Sequence, residues 1–336
     1  MATRVAVDAM GGDHAPAVVV EGAVRAAREA PDRLRVLLFG PEDVVGAELA
    51  RHDAAGLPVE VVHAPEVIGM DDAPAAALKA KPHSSIHLGL RAHKAGEADA
   101  FASAGNTGAV MAAALFACGR LPGVLRPTIP GYFPTPEGLC LVLDVGANVD
   151  VKAEHLVQFA LMGRVFARRV FGVENPSVGL INVGEEKGKG TEVVKEAYER
   201  LEALDADGHL HFVGNVEGRD LFRHRADVAV CDGFVGNVLL KLGESFASTL
   251  PQLIRQEIGR QGLDAREAEA VGRVLRETMR PFDHEQYGGV PLLGVDGVVV
   301  IGHGGSPAHA VEQMIFRAAE MAEQDLPAKI AEALKE

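Results

Sequence analysis

The chain has 336 residues, and its 33 Lys and Arg against 47 Asp and Glu give a formal net charge of −14. A chain this acidic is not suited to binding nucleic acid or an anionic lipid surface through its overall charge. No nucleic-acid partner is therefore expected. The three cysteines, Cys118, Cys140 and Cys231, lie far apart, which excludes a disulfide framework and a thiolate metal site. The sequence starts without a signal-peptide core, so a cytoplasmic location is expected.

Short runs rich in Val, Ile and Leu alternate along the chain with Gly/Asp/Asn turns and Ala-rich amphipathic stretches. This rhythm is typical of βαβ units around a mostly parallel sheet and predicts an α/β fold. The predicted strands are Arg4–Val7, Arg35–Phe39, Val59–His63, Ala98–Ala102, Leu139–Leu143, Val178–Asn182, His209–Val213, Val228–Cys231 and Val298–Ile301. The predicted helices are Ala17–Glu29, Pro74–Lys94, Thr107–Gly119, Glu154–Phe171, Thr191–Leu204, Asn237–Arg260, Asp264–Met279 and Pro307–Leu334.

Two segments depart from this rhythm. Arg126–Pro136 holds four prolines in eleven residues, so it is not a helix and is at most an edge strand or a crossing between lobes. Gln252–Arg280 holds six arginines and no lysine, on two predicted helices separated by Gly262. We expect one large domain over residues 1–336, built on one large sheet, with a helical hairpin at 237–280 projecting from it.

Six predicted strand ends carry glycine together with small polar side chains. In an open α/β sheet, ligands lie at the carboxyl ends of the strands, where glycine loops and helix N-termini cradle anions. For any single loop a plain βα turn is the favoured interpretation, but six together predict a phosphate site along one sheet edge. These glycine loops are residues 8–16, 103–108, 144–148, 184–191, 232–237 and 303–307.

The glycine loops contain side chains suited to binding an anion. Lys187 and Lys189 are the only lysines inside them, and Lys241 follows Asn237 by one helical turn. A lysine there neutralises a phosphate or a developing oxyanion, although a solvated loop lysine is the plain alternative. The acids at the strand ends, Asp8, Asp13, Asp144 and Asp232, orient these groups, hold one proton as a base, or cap the following helices. The predicted phosphate- or substrate-binding residues are Asp8, Gly11, Gly12, Asp13, His14, Ser103, Gly105, Thr107, Asp144, Asn148, Gly236, Lys241 and His303.

Familiar cofactor and nucleophile fingerprints are missing from the sequence. It has no P-loop, no G-x-G-x-x-G after a strand, and no G-x-S-x-G elbow. No cofactor is therefore indicated, and no spacing of His, Cys, Asp and Glu predicts a metal site.

Five motifs closely resemble those of the bacterial phosphate acyltransferases of phospholipid synthesis, the PlsX family, in the same order from residue 4 to about 325. They are Val7–Pro16, Ser103–Ala109, Leu143–Val149, Val230–Val238 and Gly288–Val295. The resemblance implies transfer of a long-chain acyl group from acyl carrier protein to inorganic phosphate, which gives acyl phosphate for a glycerol-3-phosphate acyltransferase. It also implies a three-layer α/β/α Rossmann-like fold akin to isopropylmalate dehydrogenase and phosphotransacetylase. A homodimer with peripheral contact at the inner face of the cell membrane is expected too.

The resemblance also assigns residues. The family's lysine falls on Lys189, and its Asp-Gly-Phe-x-Gly-Asn loop falls on residues 232–237. Asn106, Asn237, Lys189 and Asp232 are predicted to be catalytic, together with backbone amides of residues 103–108 and 233–237. Thr128–Pro134 and Ile86 depart from the family pattern, which leaves the acyl-chain preference open.

An acidic enzyme needs a local basic patch to bind an acidic carrier protein. Arg255 and Arg260 are the predicted docking residues, with a solvated helix face as the alternative. Nearby apolar residues at helical spacing suggest core or dimer packing, or a membrane-facing surface; these are Phe246, Leu250, Leu253, Ile254 and Ile258. The competing functions are a phosphotransacetylase using acetyl-CoA, a nicotinamide-dependent decarboxylating dehydrogenase, and a non-enzymatic phosphate- or acyl-binding module.

Overall fold

The computed structural model describes residues 2–335, with only the backbone for residues 284 and 285. The strands are β1 Thr3–Asp8, β2 Leu34–Gly40, β3 Val59–His63, β4 Ala100–Ser103, β5 Gly131–Thr135, β6 Gly138–Leu143, β7 Ser177–Ile181, β8 His211–Val216, β9 Val228–Val230, β10 Val290–Pro291 and β11 Val299–Ile301. The helices are α1 Ala17–Glu29, α2 Glu42–Leu49, α3 Pro74–Ala80, α4 Ser85–Lys94, α5 Thr107–Ala117, α6 Ala153–Val170, α7 Glu192–Ala206, α8 Gly233–Gln261, α9 Ala265–Met279, α10 Ala308–Glu323 and α11 Leu326–Ala333.

The strands form two sheets, one in each of two compact units. Unit 1 comprises Met1–Ile129, Arg168–Val173 and Glu285–Glu336, and unit 2 comprises Pro130–Ala167 and Glu174–His284. The α/β class is confirmed, since both sheets are mostly parallel and flanked by helices. The expectation of one large sheet is wrong, because the strands after Ile129 pair with one another until β10 and β11 return to the first sheet. That residues 1–336 form a single domain stays a prediction.

The unit 1 sheet has the strand order β10-β11-β4-β1-β2-β3, in which only β10 runs antiparallel to its neighbour. Its central strands are covered on both faces, which explains their continuous apolar sequence. Val5, Leu38 and Phe101 are fully shielded from solvent, and helices α1, α4 and α10 pack on these strands.

The unit 2 sheet has the strand order β5-β6-β9-β7-β8, with β5 antiparallel to β6 and the others parallel. The proline-rich segment therefore forms an edge strand, one of its two predicted forms. Pro134 pairs opposite Leu139 on this edge, where its missing N–H removes no hydrogen bond from a central strand.

Two predicted helices are each interrupted once. The helix predicted at Pro74–Lys94 is α3 and α4, because Lys81 precedes Pro82 and adopts φ −123° and ψ 65°, outside the helical region. The helix predicted at Pro307–Leu334 is α10 and α11, separated at Asp325 in a left-handed conformation with φ 49°. The prediction also lacks β10 and α2, a short helix that buries only Val45.

The predicted helices of the 237–280 hairpin are confirmed as α8 and α9. Gly262 ends α8 with φ 64°, and Asp264 caps α9 by accepting the amides of Arg266 and Glu267. Its projection from the unit stays a prediction. Among residues 2–335, none of the helices combines the length and apolar character needed to cross a bilayer.

His93 joins α4 to the start of β11 through both ring nitrogens. Its Nδ1–H donates to the Ala98 carbonyl at 3.1 Å, and its Nε2 accepts the Val298 amide at 2.9 Å. This pairing requires a neutral ring, and burial lowers the pKa of His93 below its ordinary value.

Acid should therefore weaken the fold through His93. Below a pH of about 6.5, the ordinary pKa of histidine, the unfolded chain binds a proton that the folded chain resists, so the free energy of unfolding falls as the pH falls. Urea unfolding between pH 7.5 and 5 should show a steeper loss of stability for the wild type than for His93→Gln. Parallel pH profiles for the two proteins would contradict this role.

Candidate functional site

In unit 1, three glycine loops leave neighbouring parallel strands at the carboxyl edge of the sheet. β11, β4 and β1 are adjacent, so the loops beginning near His303, Ser103 and Asp8 lie side by side. Gly302 donates its amide to the Ser103 carbonyl at 2.8 Å, and Asp13 donates its amide to the Gly304 carbonyl at 2.8 Å. The structure thus brings together the predicted site residues of these three loops.

Asp8 is the buried centre of this edge. Its Oδ2 accepts the Ser103 hydroxyl at 2.7 Å, and its Oδ1 accepts the Met10 amide at 3.2 Å. Burial raises the pKa of the Asp8 carboxyl, while hydrogen bonds from the hydroxyls of Ser85 and Ser103 act in the opposite direction. Asp8 holds the loops in place from beneath, and Ser85 is a partner that the sequence does not reveal.

Gly11 and Gly105 pack directly over this carboxylate. A Cβ on Gly11 would lie 2.5 Å from Asp8 Oδ2 and 2.7 Å from the Gly105 nitrogen. Gly12 has φ +111°, a conformation that favours glycine. The other predicted residues of these loops lie at the surface; Asp13, His14, Thr107 and His303 are exposed.

Asn106 has a structural role in this conformation. As the N-cap of α5 it accepts the Ala109 amide at 3.0 Å, and its Nδ2 donates to the carbonyls of Met70 and Asp72, each at 2.9 Å. Both N–H groups are therefore used to hold the segment after β3. Its catalytic role stays a prediction, which would require these bonds to break.

In unit 2, the other three glycine loops follow β6, β9 and β7, which are neighbours in the sheet. The expectation that all six loops share one sheet edge is wrong, because the loops divide between the two sheets, three on each. Asp144, Asp232 and Lys189 are among the predicted site residues on the carboxyl edge of unit 2.

Asp144 and Asn148 form a buried turn after β6. Asn148 donates its amide to Asp144 Oδ2 at 2.5 Å, and the Asn148 carbonyl accepts the Gly233 amide at 2.7 Å. Gly236 lies so close to this turn that a Cβ would be 1.9 Å from the Asp144 carbonyl oxygen. These residues join the start of α8 to β6 and are placed to support a site beneath its surface.

Asp232 is the N-cap of α8, the plain alternative given for the acids above. Its Oδ1 accepts the Val235 amide at 2.8 Å, and its carbonyl accepts the Gly236 amide at 3.0 Å. The amides of Gly233, Val235 and Gly236 therefore already have acceptors within the protein. That amides of this loop stabilise an oxyanion stays a prediction, which would require some of these hydrogen bonds to break.

The turn at residues 145–147 offers amides that the sequence prediction overlooks. Within the described part of the chain, the amides of Val145, Gly146 and Ala147 donate to no protein acceptor. Gly146 has φ +136°, and the position of its absent Cβ lies 3.0 Å from Nδ2 of the exposed Asn237. Adjacent amides and the Asn237 side chain can therefore donate to one anion. The glycine in Leu143–Val149 is the only sequence signal for this feature.

The lysines of the 184–191 loop differ in their partners. Lys187 pairs with Glu202 at 2.5 Å and lies over the Tyr198 ring at 5.4 Å. Lys189 is exposed and forms no ion pair among residues 2–335. Lys241 pairs with Glu244 at 2.8 Å on the surface of α8. Lys189 is thus the lysine whose charge is open to a substrate anion.

The predicted docking residues lie on α8 and do not form one patch. Arg255 is exposed, and Arg260 is 3.5 Å from Glu257. Because an α-helix turns about 100° per residue, side chains five residues apart point roughly 140° apart.

The cysteines are structural. All three are buried and free, and burial raises the pKa of Cys140 to about 12 and that of Cys231 well above its ordinary value. A neutral, buried thiol is a poor nucleophile. The described residues contain no group of three or more His, Cys, Asp and Glu side chains arranged to hold a metal ion.

Two solved structures share the fold. A phosphotransacetylase from Streptococcus pyogenes has a TM-score of 0.64 at 17% identity, covering 96% of this chain and 94% of that chain. The EutD phosphotransacetylase from Staphylococcus aureus has a TM-score of 0.61 at 16% identity, with the same coverage. At these identities the likeness shows the fold alone, and it confirms the predicted architecture.

Sequence relatives are far closer. A family model described as "Fatty acid synthesis protein" matches residues 3–329. A "Phosphate acyltransferase" from Salinibacter ruber is 53% identical over 335 residues, covering 99% of this chain and 98% of that protein. Another of the same name from Chlorobaculum parvum is 49% identical over 332 residues, 97% of each. The resemblance of the five motifs is thereby confirmed: the chain belongs to the phosphate acyltransferase family, and it is an acyltransferase.

Proposed function

We propose that the chain transfers a long-chain fatty acyl group from its thioester with acyl carrier protein to inorganic phosphate. The product is an acyl phosphate that serves phospholipid synthesis. Family membership supports the transfer of an acyl group to phosphate. The carrier-protein donor and the role in phospholipid synthesis are inferred from the resemblance of the sequence motifs.

One observation carries the proposal most strongly. As far as residues 2–335 show, the carboxyl edge of the unit 2 sheet presents a lysine without an ion-pair partner, an exposed asparagine and a turn whose amides donate to no protein acceptor. These groups suit an anion without a metal ion or a strongly basic surface. A protein of net charge −14 can thus bind phosphate locally.

The proposed chemistry is direct attack by phosphate. A phosphate oxygen bonds to the thioester carbonyl carbon, the carbonyl oxygen becomes an oxyanion, and the C–S bond then breaks to release the carrier thiolate, which takes a proton. Phosphate is already anionic at neutral pH, so no general base is required. We assign to Lys189, Asn237 and the amides of Gly146 and Ala147 the tasks of holding phosphate or stabilising the oxyanion. Each such donor typically contributes a factor of about 10²–10³ in rate.

The unit 1 glycine loops have a buried base and an exposed rim. Asp8, Ser103, Gly11 and Gly105 form the rigid base of the three glycine loops. We propose that the exposed residues above them, with the N-terminus of α5 at Thr107, bind the substrate.

The defining assay incubates the protein with palmitoyl-(acyl carrier protein) and phosphate, and traps the acyl phosphate with hydroxylamine. We expect thiol release and hydroxamate formation that both require phosphate. Equal turnover of acetyl-CoA would favour the small-molecule phosphotransacetylase instead. Absence of phosphate-dependent thiol release would refute the proposal.

Carrier-protein docking is tested by charge reversal of Arg255 and Arg260. Because these side chains point apart, Arg255→Glu and Arg260→Glu are compared singly and together. We expect the double variant to raise the KM for the carrier-protein thioester several-fold and to leave turnover of a small acyl thioester unchanged. An equal loss on both substrates would contradict docking at these arginines.

The exposed apolar face of α8 supports the predicted homodimer. This face consists of Phe234, Val238, Leu242, Phe246 and Leu253, which are between 53% and 66% exposed. Of the apolar residues expected there from the sequence, Leu250, Ile254 and Ile258 are half-buried. An apolar stripe this long usually marks an interaction surface, and we propose that a second copy of the chain covers it.

Leu242→Glu should convert the dimer to a monomer in sedimentation velocity, because a charge would be buried at the interface. The control is Phe116→Glu, which changes an apolar side chain 82% exposed on α5, outside this face. A Leu242→Glu protein that remains dimeric would refute dimerisation through α8. If that protein instead lost vesicle binding, peripheral membrane contact would explain the face.

Transfer of the product to a glycerol-3-phosphate acyltransferase stays a prediction.

A further inference from the structure

Two asparagines hold the loop that carries Lys189. Asn182, just after β7, donates its Nδ2 to the Lys189 carbonyl at 3.0 Å and accepts the Val183 amide at 2.8 Å. Asn215, on β8, donates its Nδ2 to the Glu186 carbonyl at 3.0 Å. The Lys189 amide in turn donates to that same Glu186 carbonyl at 3.0 Å. The backbone is therefore fixed at both ends of residues 186–189.

The loop is shaped to fit these asparagines. Gly190 has φ +88°, and a Cβ there would lie 2.5 Å from Asn182 Oδ1. The stem of Lys189 passes close to Gly184, where a Cβ would be 3.2 Å from Lys189 Cγ. A larger side chain at Gly190 would displace Asn182, so glycine at this position preserves the hydrogen bond from Asn182 to the Lys189 backbone.

If stability were the only requirement, asparagine would be an unfavourable residue at position 215, as the environment of Asn215 shows. The side chain is 5% exposed, and within residues 2–335 its Oδ1 has no hydrogen-bond partner. A buried acceptor without a donor disfavours the folded state, and an apolar side chain of similar size would avoid that cost. The hydrogen bond from Asn215 Nδ2 to the Lys189 loop is the feature that an apolar residue would lack.

We propose that Asn182 and Asn215 are positioning residues for Lys189. They act through the backbone of residues 186–189 and hold the ammonium group at the carboxyl edge of the sheet, ready for the phosphate or the oxyanion. This inference rests on the proposed function, in which Lys189 contacts the reacting groups. Small displacements of such a group cost up to about 10²-fold in rate.

The test is a double-mutant cycle with Asn215→Leu and Asn182→Ala, each made in the wild type and in Lys189→Ala. We expect each asparagine variant to lower kcat/KM with phosphate about 10-fold in the wild type and hardly at all in Lys189→Ala, because its effect passes through the lysine. The thermal midpoint of Asn215→Leu should equal or exceed that of the wild type. Asn175→Ala, at an exposed asparagine of the same unit, is the matched control and should be neutral.

Equal losses of activity in both backgrounds, or no loss in either, would overturn the positioning role. A lower thermal midpoint for Asn215→Leu together with unchanged activity would show a purely structural role. If Asn182→Ala does not fold, Asn215→Leu carries the test alone.

A second readout does not depend on activity. Amide hydrogen exchange over residues 183–190 should be faster in Asn215→Leu than in Asn175→Ala. Unchanged exchange would refute the proposal that Asn215 holds this loop in place. Failure of the proposed function appears separately, as a wild-type protein with no phosphate-dependent thiol release.

Discussion

Replacing Lys189 with alanine is expected to lower kcat for acyl transfer to phosphate by about 10²–10³-fold. The reason is that Lys189 is the lysine of its loop with no carboxylate partner among the described residues, so its charge is available to phosphate and to the oxyanion. Stability should hardly change, since the side chain is exposed. The measurement is steady-state thiol release with saturating phosphate, alongside the thermal midpoint.

Lys187→Ala is the matched control for this experiment. It removes a lysine two residues away whose ammonium is already paired with Glu202 and placed over Tyr198. We expect Lys187→Ala to keep most of the activity. If Lys189→Ala retained wild-type kcat, or if both variants lost activity alike, the assignment of Lys189 would be wrong.

The second large effect is expected at Gly236. Its α-carbon packs against the turn after β6, and the added Cβ of Gly236→Ala would sit 1.9 Å from the Asp144 carbonyl oxygen. That oxygen belongs to the backbone, so it cannot rotate away as a flexible side chain would. We expect the free energy of unfolding to fall by about 3 kcal/mol, with activity lost in the same variant.

Gly259→Ala on the same helix provides the contrast, because a Cβ at Gly259 meets no atom within 4 Å. There the helix propensity of alanine should raise stability by about 0.5–1 kcal/mol. Urea unfolding of the two variants measures the difference. A Gly236→Ala protein within about 0.5 kcal/mol of the wild type would refute the close packing of α8 on β6.

The regular elements were accessible from sequence because their patterns are strong. The apolar runs of β1 and β2 and the periodicity of α1 identify them without tertiary information, and α1 begins and ends where predicted. The division into two sheets was not accessible, because strand partners are chosen by long-range packing. Breaks such as that at Asp325 depend on one backbone conformation, which the helical pattern around it conceals.

The candidate site was only partly accessible for a related reason. Glycine loops at strand ends identify the carboxyl edges, and those loops do contain Asp8, Asp144 and Lys189. Sequence does not say whether a polar side chain faces a ligand or the protein. Asn106 and Asp232 cap helices here, and their catalytic roles stay predictions. Ser85 and Asn215 lie outside the glycine loops and carry no motif.

The order of the strands also bears on how the chain folds during synthesis. β11 lies beside β4 in the unit 1 sheet, and α10 packs on α1. Both β11 and α10 are nevertheless synthesised after all of unit 2. Unit 2 is nearly continuous along the chain, so its sheet can form before β10 and β11, the last strands of the unit 1 sheet, have been synthesised. Domains emerging from the ribosome generally fold as units as soon as their residues are complete. The part of the protein translated first is therefore completed last, and its β4 edge stays unpaired until β11 has been made.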